Sequence, residues 1–547
     1  MPSQYYDEDD QQLQDYGHSM AHILGSYLMP MINAYLINVW QLNFIHVSGI
    51  VIICEGMLWM LPLFFFYLSD AVLSLRQITK ITSIFYTASM VFLSMSAPPI
   101  LSTLTGTCGG YRPECFGLTQ RILFFTSLVL FTVGSSGNIF IAGLQYEYLL
   151  SRFPLEFRSD LQKRLKKSLS KQFAHIGGAS TLSFIKPWAL RFGIIALLSA
   201  IGTCLSLGPC YPLIASTLPE ENMQKASPLT NMIRVFVASA LKISQKLPND
   251  TSLLYEKNDE PDVQLLPHTP GLRFLDKAAI LLPNKSRIEQ ENNKWSLCTV
   301  TQVEETKIAI RMFPMWMTFI ICGLVTSIGY SYFLIQANNL NPKLAFFKLP
   351  FLFLPMLHNI VKPLLEKTNK YFTPQEGIGM AMICSVLCCI TAALVEARRL
   401  HIVISHGLLD KPEERIPMSV LWLAPQFFLL AGLESFFERS VKRLFSDKIP
   451  PSSRKYLNYF TDGIFGLGIM GGVLSVYLAG KLSERGGKPN WFQDTLNRSR
   501  LDNYYWTLAA LGAANFLLYI LVLICFRNPK SNYEEADVNG EFHPLDS

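Results

Sequence analysis

Three carboxylic acids stand inside stretches that hold almost nothing else polar: Glu55 in IICEGMLWM, Glu434 in AGLESFF and Asp462 in YFTDGIFGLG. An ionised carboxylate in an apolar run is costly unless it faces a cavity, a partner or a proton. The chemistry open to these acids is proton uptake or the binding of a polar solute. The plainer alternative is a hydrogen-bonded link between helices. For Glu55 the two readings balance; Asp462 lies near the end of its run, which favours the plainer one. Glu438 and Arg439 follow Glu434 at a helix end and are expected to pair with each other or with solvent.

Other reactive residues suggest less. Eleven cysteines show no metal-ligand spacing, and Cys384, Cys388 and Cys389 read as buried packing. Cys108 and Cys115 flank the loop GGYRPE and could form a bridge if that loop faces an oxidising space. His175 and His358 are lone and read as satisfied buried groups, and His46 lies near a helix end. Gly-x-Ser-x-Gly and His-Glu-x-x-His are absent, so no enzymatic activity, metal or cofactor is expected.

The elements that must carry these residues follow from composition. The chain has 547 residues, 50% hydrophobic and 12% aromatic, with 16% charged and a mean hydropathy of +0.26. Soluble domains carry about 25% charged residues. Apolar segments fall at 20–40, 46–69, 78–98, 121–147, 188–216, 308–336, 346–364, 377–397, 418–438, 456–480 and 503–526. Most are long enough to cross a hydrocarbon core of about 30 Å. This excludes a soluble enzyme, a secreted disulfide scaffold and a disordered chain. A net charge of +6, scattered, gives no footprint for nucleic acid. The expected class is an all-α membrane protein with the lipid bilayer as its surroundings. A twelfth segment, 173–185 (FAHIGGASTLSFI), is short and polar for a span.

The polar stretch 217–307, with 11 Lys/Arg against 12 Asp/Glu, divides the chain into six segments and six. The expected plan is an acidic cytosolic N-terminus (1–19), a first bundle (20–216), a cytosolic central loop (217–307), a second bundle (308–526) and a cytosolic tail (527–547). Lys/Arg counts in the short loops of the first half, nine against four, support a cytosolic N-terminus; the second half carries no bias. Within the loop, 228–244 reads as an amphipathic helix with Met232, Phe236, Ala240 and Ile243 on one face, a brace on the membrane surface. Gly463, Gly466, Gly468, Gly471 and Gly472 give the eleventh span a smooth face for close packing. Asn497-Arg-Ser499 is a glycosylation sequon on an expected non-cytosolic loop; those at Asn249 and Asn284 fall on the cytosolic side.

LRFLDKAAI (272–280), WSLCTVTQVEETK (295–307) and RMFPMW (311–316) closely resemble the segment leading into the seventh helix of the plant nitrate/peptide transporter family. That family is the plant branch of the proton-dependent oligopeptide transporters within the major facilitator superfamily. LPNDTSLLYE, AALVEARRL, IPMSVLWLAPQFFLLAGLE and NWFQDTLNRSRLDNYYW extend the resemblance through the second half. LPLFFFYLSDA and GSSGNIFIAGLQY carry it more loosely in the first. It implies a major facilitator fold of twelve transmembrane helices in two six-helix bundles. It also implies proton-coupled movement of nitrate, short peptides or other small organic anions, in the plasma or vacuolar membrane. The fifth helix is short here, and the oligomeric state is left open.

Position by position the resemblance weakens in the first half. The family's first-helix Glu-x-x-Glu-Arg motif falls on HSMAH, where His18 and His22 could relay protons. A cytosol-facing polar helix end is the favoured reading there. The implied fourth-helix lysine is absent and Asn138 occupies its region; the seventh-helix histidine of some members aligns with Thr326. The Asp-x-x-x-Gly-Arg gating turn becomes Asp70 to Arg76, one residue out of step and without the glycine. Glu434 matches the acidic tenth-helix position that lines the family's cavity, and a cavity role is favoured over a structural salt bridge. The expected function is thus a secondary transporter with weakened proton coupling and Glu55 as the replacement acid. The alternative is a relative that no longer transports and serves as a membrane interaction or sensing protein.

Overall fold

In hydrocarbon a backbone segment must satisfy its own N–H and C=O groups, which leaves the helix as the economical form for these apolar stretches. The computed structural model describes residues 23–152, 168–207, 228–344, 347–448 and 451–527, apart from 249, 251–252, 257–265, 267, 284–285 and 294. His18, His22, the acidic N-terminus, the C-terminal tail and the sequons at Asn249 and Asn284 lie outside the described residues. Among the described residues twelve helices carry the fold. The first half holds α1 (Leu28–Asn38), α2 (Phe44–Ala71), α3 (Leu75–Met95), α4 (Leu118–Arg152), α5 (Ser168–Phe184) and α6 (Trp188–Leu207). The second holds α7 (Val300–Tyr330), α8 (Phe353–Thr368), α9 (Pro374–Ser405), α10 (Ala424–Lys448), α11 (Pro451–Ser483) and α12 (Leu501–Arg527).

Among the described residues eight helices, α2–α4, α7 and α9–α12, are long and apolar enough to cross a membrane. The remaining four are shorter. α5 extends the expected 173–185 segment to 17 residues, begins at Ser168, and packs against α8 of the other half. α8 starts seven residues later than the apolar run at 346–364 suggests, because a two-residue hairpin (Lys343–Leu344 with Phe347–Lys348) and Pro350 use up its beginning. Capping boxes at Ser74/Gln77, Thr299/Gln302 and Thr373/Glu376 fix the starts of α3, α7 and α9.

Within the first half α4 packs on α2 and α3, and α3 on α6; within the second, α9 packs on α10 and α12, and α8 on α10. The halves meet mainly along α2 and α11. Glycine makes this approach possible: a Cβ on Gly56 would lie 2.9 Å from the Gly466 carbonyl oxygen, and one on Gly466 2.6 Å from that of Gly56. α11 also nests on α7, where a Cβ on Gly323 would lie 2.2 Å from the Phe465 oxygen and one on Gly468 2.2 Å from that of Ile320. Gly471, expected on the same smooth face, meets nothing within 4 Å.

Two buried charge clusters explain the most recognisable sequence segments. Lys307 is fully buried between Asp276 (2.6 Å) and Glu304 (2.7 Å), tying the Arg273–Ala279 turn to α7. His268, Asp276 and Glu304 converge like metal ligands, but the Lys307 ammonium already sits against both acids. Arg399 makes paired bonds to Glu396 (2.7 Å each) and reaches Asn497 Oδ1 (3.0 Å) and the Leu496 carbonyl (2.9 Å). Asn497, the sequon residue, is 2% exposed, with its amide nitrogen donating to Leu408 O (2.9 Å). A glycan on that nitrogen would have to displace the groups that bury it.

The amphipathic helix forms over Pro228–Leu241 and packs a second face on protein, leaving most of the expected apolar face outward. Val235, Ala238, Ser239 and Lys242 turn inward against the Arg273–Ala279 turn, while Phe236, Ala240 and Ile243 are exposed. The reason is a ready-made apolar partner, Leu275, Ala278, Ala279, Cys298 and Val303, beside it.

Candidate functional site

Between the halves lies a cavity of about 550 Å³. α2 brings Glu55 and Trp59, α4 Phe131 and Asn138, and α7 Tyr330; α8 adds His358 and Lys362, α10 Glu434, Glu438 and Lys442, and α11 Tyr459 and Asp462. The three intramembrane acids, scattered over four hundred residues of sequence, thus open on one space. Asn138 joins them, its Oδ1 accepting a bond from the Thr82 hydroxyl (3.2 Å).

Glu434 is 1% exposed and fully engaged. The Tyr330 hydroxyl donates to Oε1 (2.6 Å), Lys362 Nζ donates to Oε2 (3.0 Å), and His358 Nε2 stands 3.4 Å from Oε2. Lys362 also donates to Glu438 Oε1 (2.5 Å), so one ammonium bridges two carboxylates a helical turn apart on α10. Every one of these partners belongs to the second half. Glu438 and Arg439 do not pair with each other: Arg439 lies 3.7 Å from Glu366.

Glu55 contrasts with Glu434. It is half-buried in the cavity wall and has no hydrogen-bond or ion-pair partner among the described residues. Asp462 is likewise half-buried there without one.

Other expected residues fall elsewhere. Thr326 is fully buried and donates to the Cys322 carbonyl of its own helix (3.0 Å); Tyr330, one turn further, is the α7 residue that reaches the cavity. Asp70 lies in the last turn of α2, and Arg76 is exposed in the first turn of α3 and is not among the described residues lining the cavity. Cys108 and Cys115 form a disulfide before α4, with Cα atoms 4.8 Å apart. His175 bonds the Tyr27 hydroxyl (3.0 Å). Lys362 went unremarked in the sequence, although His358-x-x-x-Lys362 puts two basic groups on one face of an otherwise apolar helix.

Contacts between the halves lie toward both ends of α2. At one end Asn38 and Asn338 exchange amide bonds (3.0 and 2.9 Å), Ser48 donates to the Tyr332 hydroxyl (3.0 Å), and the Arg191 guanidinium lies 4.9 Å from the Phe351 ring centroid. At the other, the end of the α2–α3 turn, Tyr459 donates to the Phe140 carbonyl (3.4 Å) and packs on the rings of Phe66 and Phe140.

The POT family profile matches residues 188–484. Protein NRT1/PTR family 5.5 of Arabidopsis thaliana is 34% identical, over 92% of this chain and 94% of that protein. Protein NRT1/PTR family 8.3 of the same plant is 30% identical, over 81% and 80%. Among solved structures, an auto-inhibited POT family peptide transporter superposes with a TM-score of 0.62 at 13% identity, covering 94% of this chain and 96% of that one. The POT family transporter PepTSo gives 0.58 at 13%, covering 95% and 99%. The chain is a multi-pass integral membrane protein and belongs to the POT family of transporters, in its plant NRT1/PTR branch.

Proposed function

We propose that this chain is a secondary transporter that moves a small solute of the nitrate/peptide type through the central cavity, with proton coupling weakened relative to its family. The solutes in view are nitrate, short peptides and other small organic anions, and the membrane is the plasma or the vacuolar one. The observation that carries the reading is the cavity itself, walled by both halves, with contacts between the halves toward each end of α2. Alternating access needs such contacts to form and break in turn.

The coupling argument rests on partners. Glu434 is held by Lys362, Tyr330 and His358, so its charge is satisfied without a proton. The expected first-helix acids are missing from HSMAH, and Asn138 takes the place of a fourth-helix lysine. Glu55 and Asp462 are the unpartnered acids left in the wall, and Glu55, on the first half that has lost its other acids, is the one assigned the proton. Solute uptake recorded together with current and pH in a heterologous cell tests this. A solute-evoked proton movement that Glu55→Gln abolishes is the expected result. One abolished by Glu434→Gln but kept in Glu55→Gln overturns the assignment. Solute binding to the purified protein with no flux in liposomes supports the second reading, a membrane sensing or interaction protein; the missing first-helix acids are what favours it.

A further inference from the structure

Resting on that reading, we propose that the cavity selects a solute carrying a positively charged group, and that this group docks on Glu55. The two halves contribute opposite electrostatics to the space. From α1–α6, Glu55 is the only charged residue among the described lining; the rest is Asn138, small polar residues and the apolar or aromatic surfaces of Met29, Leu58, Trp59, Tyr86 and Phe131. From α7–α12 come Lys362, Lys442, Glu434, Glu438 and Asp462, besides His358.

Lys362 is committed to two glutamates at 3.0 and 2.5 Å and has no charge left over for a solute anion. Counted as ionised groups, four acids face two lysines, so the described lining is negative. A naked monovalent anion entering such a space meets net repulsion in a medium that screens poorly.

Glu55 has the opposite need. A buried carboxylate is stabilised by a cation that brings its own hydrogen-bond donors. Trp59 follows one turn along α2, and Tyr86, Phe131 and Tyr330 line the same space. Aromatic faces attract an ammonium, and more strongly when it is desolvated. His358 is 7% exposed and lines the same cavity, with its Nε2 3.4 Å from Glu434 Oε2. Asp462 stands apart from Glu55. On α11 it adjoins Gly463, which packs beside Leu63, whereas Gly56 packs beside Gly466 and Met470. That places the two acids about two helical turns, roughly 12 Å, apart along the axis, so one ammonium contacts one of them at a time. Glu55 is preferred because it is the charge through which a solute links the first half to the second. An oxygen that holds an ammonium cannot also hold a proton, so binding there displaces any proton carried by Glu55.

Four compounds of one size range separate charge from shape: alanyl-alanine amide (cationic), alanyl-alanine (dipolar), N-acetyl-alanyl-alanine (anionic) and nitrate. Binding is measured on the purified full chain in nanodiscs, and flux in liposomes is measured separately. The amide and the dipeptide are expected to bind at least ten times more tightly than the acetylated peptide and nitrate. Glu55→Gln is expected to weaken the amide about tenfold or more, Glu55→Asp less, and Asp462→Asn little, with melting temperatures near that of the natural chain. Equal or tighter binding of either anion, no binding of the amide, or an unchanged amide affinity in Glu55→Gln overturns the proposal. Amide binding without flux leaves it standing and overturns the transport reading instead.

Discussion

Lys362 Nζ lies 3.0 Å from Glu434 Oε2, and the two side chains come from α8 and α10 of the same half of the molecule. The resemblance to its family leads one to expect a lysine on the fourth helix, in the other half. Here the acid is neutralised from its own side, so this ion pair need not break when the halves part.

Removing one member of a buried ion pair leaves the other without compensation, at about 3–5 kcal/mol. Lys362→Met strands Glu434 and Glu438 together and is expected to lower the melting temperature of the detergent-solubilised protein sharply. Adding Glu434→Gln to that variant should restore part of the loss. Strictly additive losses in the double variant would show that the two side chains do not interact.

The α2–α11–α7 stack tolerates no side chain at its closest points. Gly323→Ala and Gly468→Ala each place a Cβ 2.2 Å from a carbonyl oxygen and are expected to abolish a monodisperse peak in size-exclusion chromatography. Gly471→Ala, with nothing within 4 Å, should behave as the natural chain does. The pattern of these three substitutions checks the register of α11 against both neighbours.

Tyr459, in the cavity wall, ties the halves together toward the α2–α3 turn by its bond to Phe140 O and its contacts with Phe66 and Phe140. Tyr459→Ala removes both and is expected to bias the protein toward opening at that end. A cysteine introduced by Asn138→Cys should then react several-fold faster with a membrane-impermeant thiol reagent from the side of the turn, and no faster from the other. Tyr459→Phe keeps the ring and should fall between.

The docked loop helix has its own pH dependence. Lys242, 3% exposed, donates to Ala278 O (3.1 Å) and Ile280 O (2.7 Å), and burial lowers its pKa from 10.5 to about 8. The undocked lysine binds its proton more tightly, so docking strengthens as pH rises from about 8 toward 10.5 and weakens as it falls back. Hydrogen-exchange protection of 228–241, corrected for intrinsic rates, should increase over that range. Lys242→Met should abolish the increase.

The sequence by itself determined that this chain lives in a membrane as a set of helices, because hydrocarbon offers the backbone few other ways to satisfy its polar groups. It also marked Glu55, Glu434 and Asp462, since a charge in an apolar run is visible without coordinates. Asn138 was found through the resemblance. Tertiary structure alone decided what these residues do. Glu434 and Lys362 are 72 positions apart, and nothing in a linear pattern says that α8 rather than α4 supplies the counter-ion. Thr326 and Tyr330 share a helix face by spacing, yet packing buries the first and opens the second. The loop helix presents apolar residues on two faces, and the partner surface formed by a turn 40 residues away selects which one is covered. Pairing and exposure depend on groups far apart in the chain, whereas the propensity to enter the membrane is written locally.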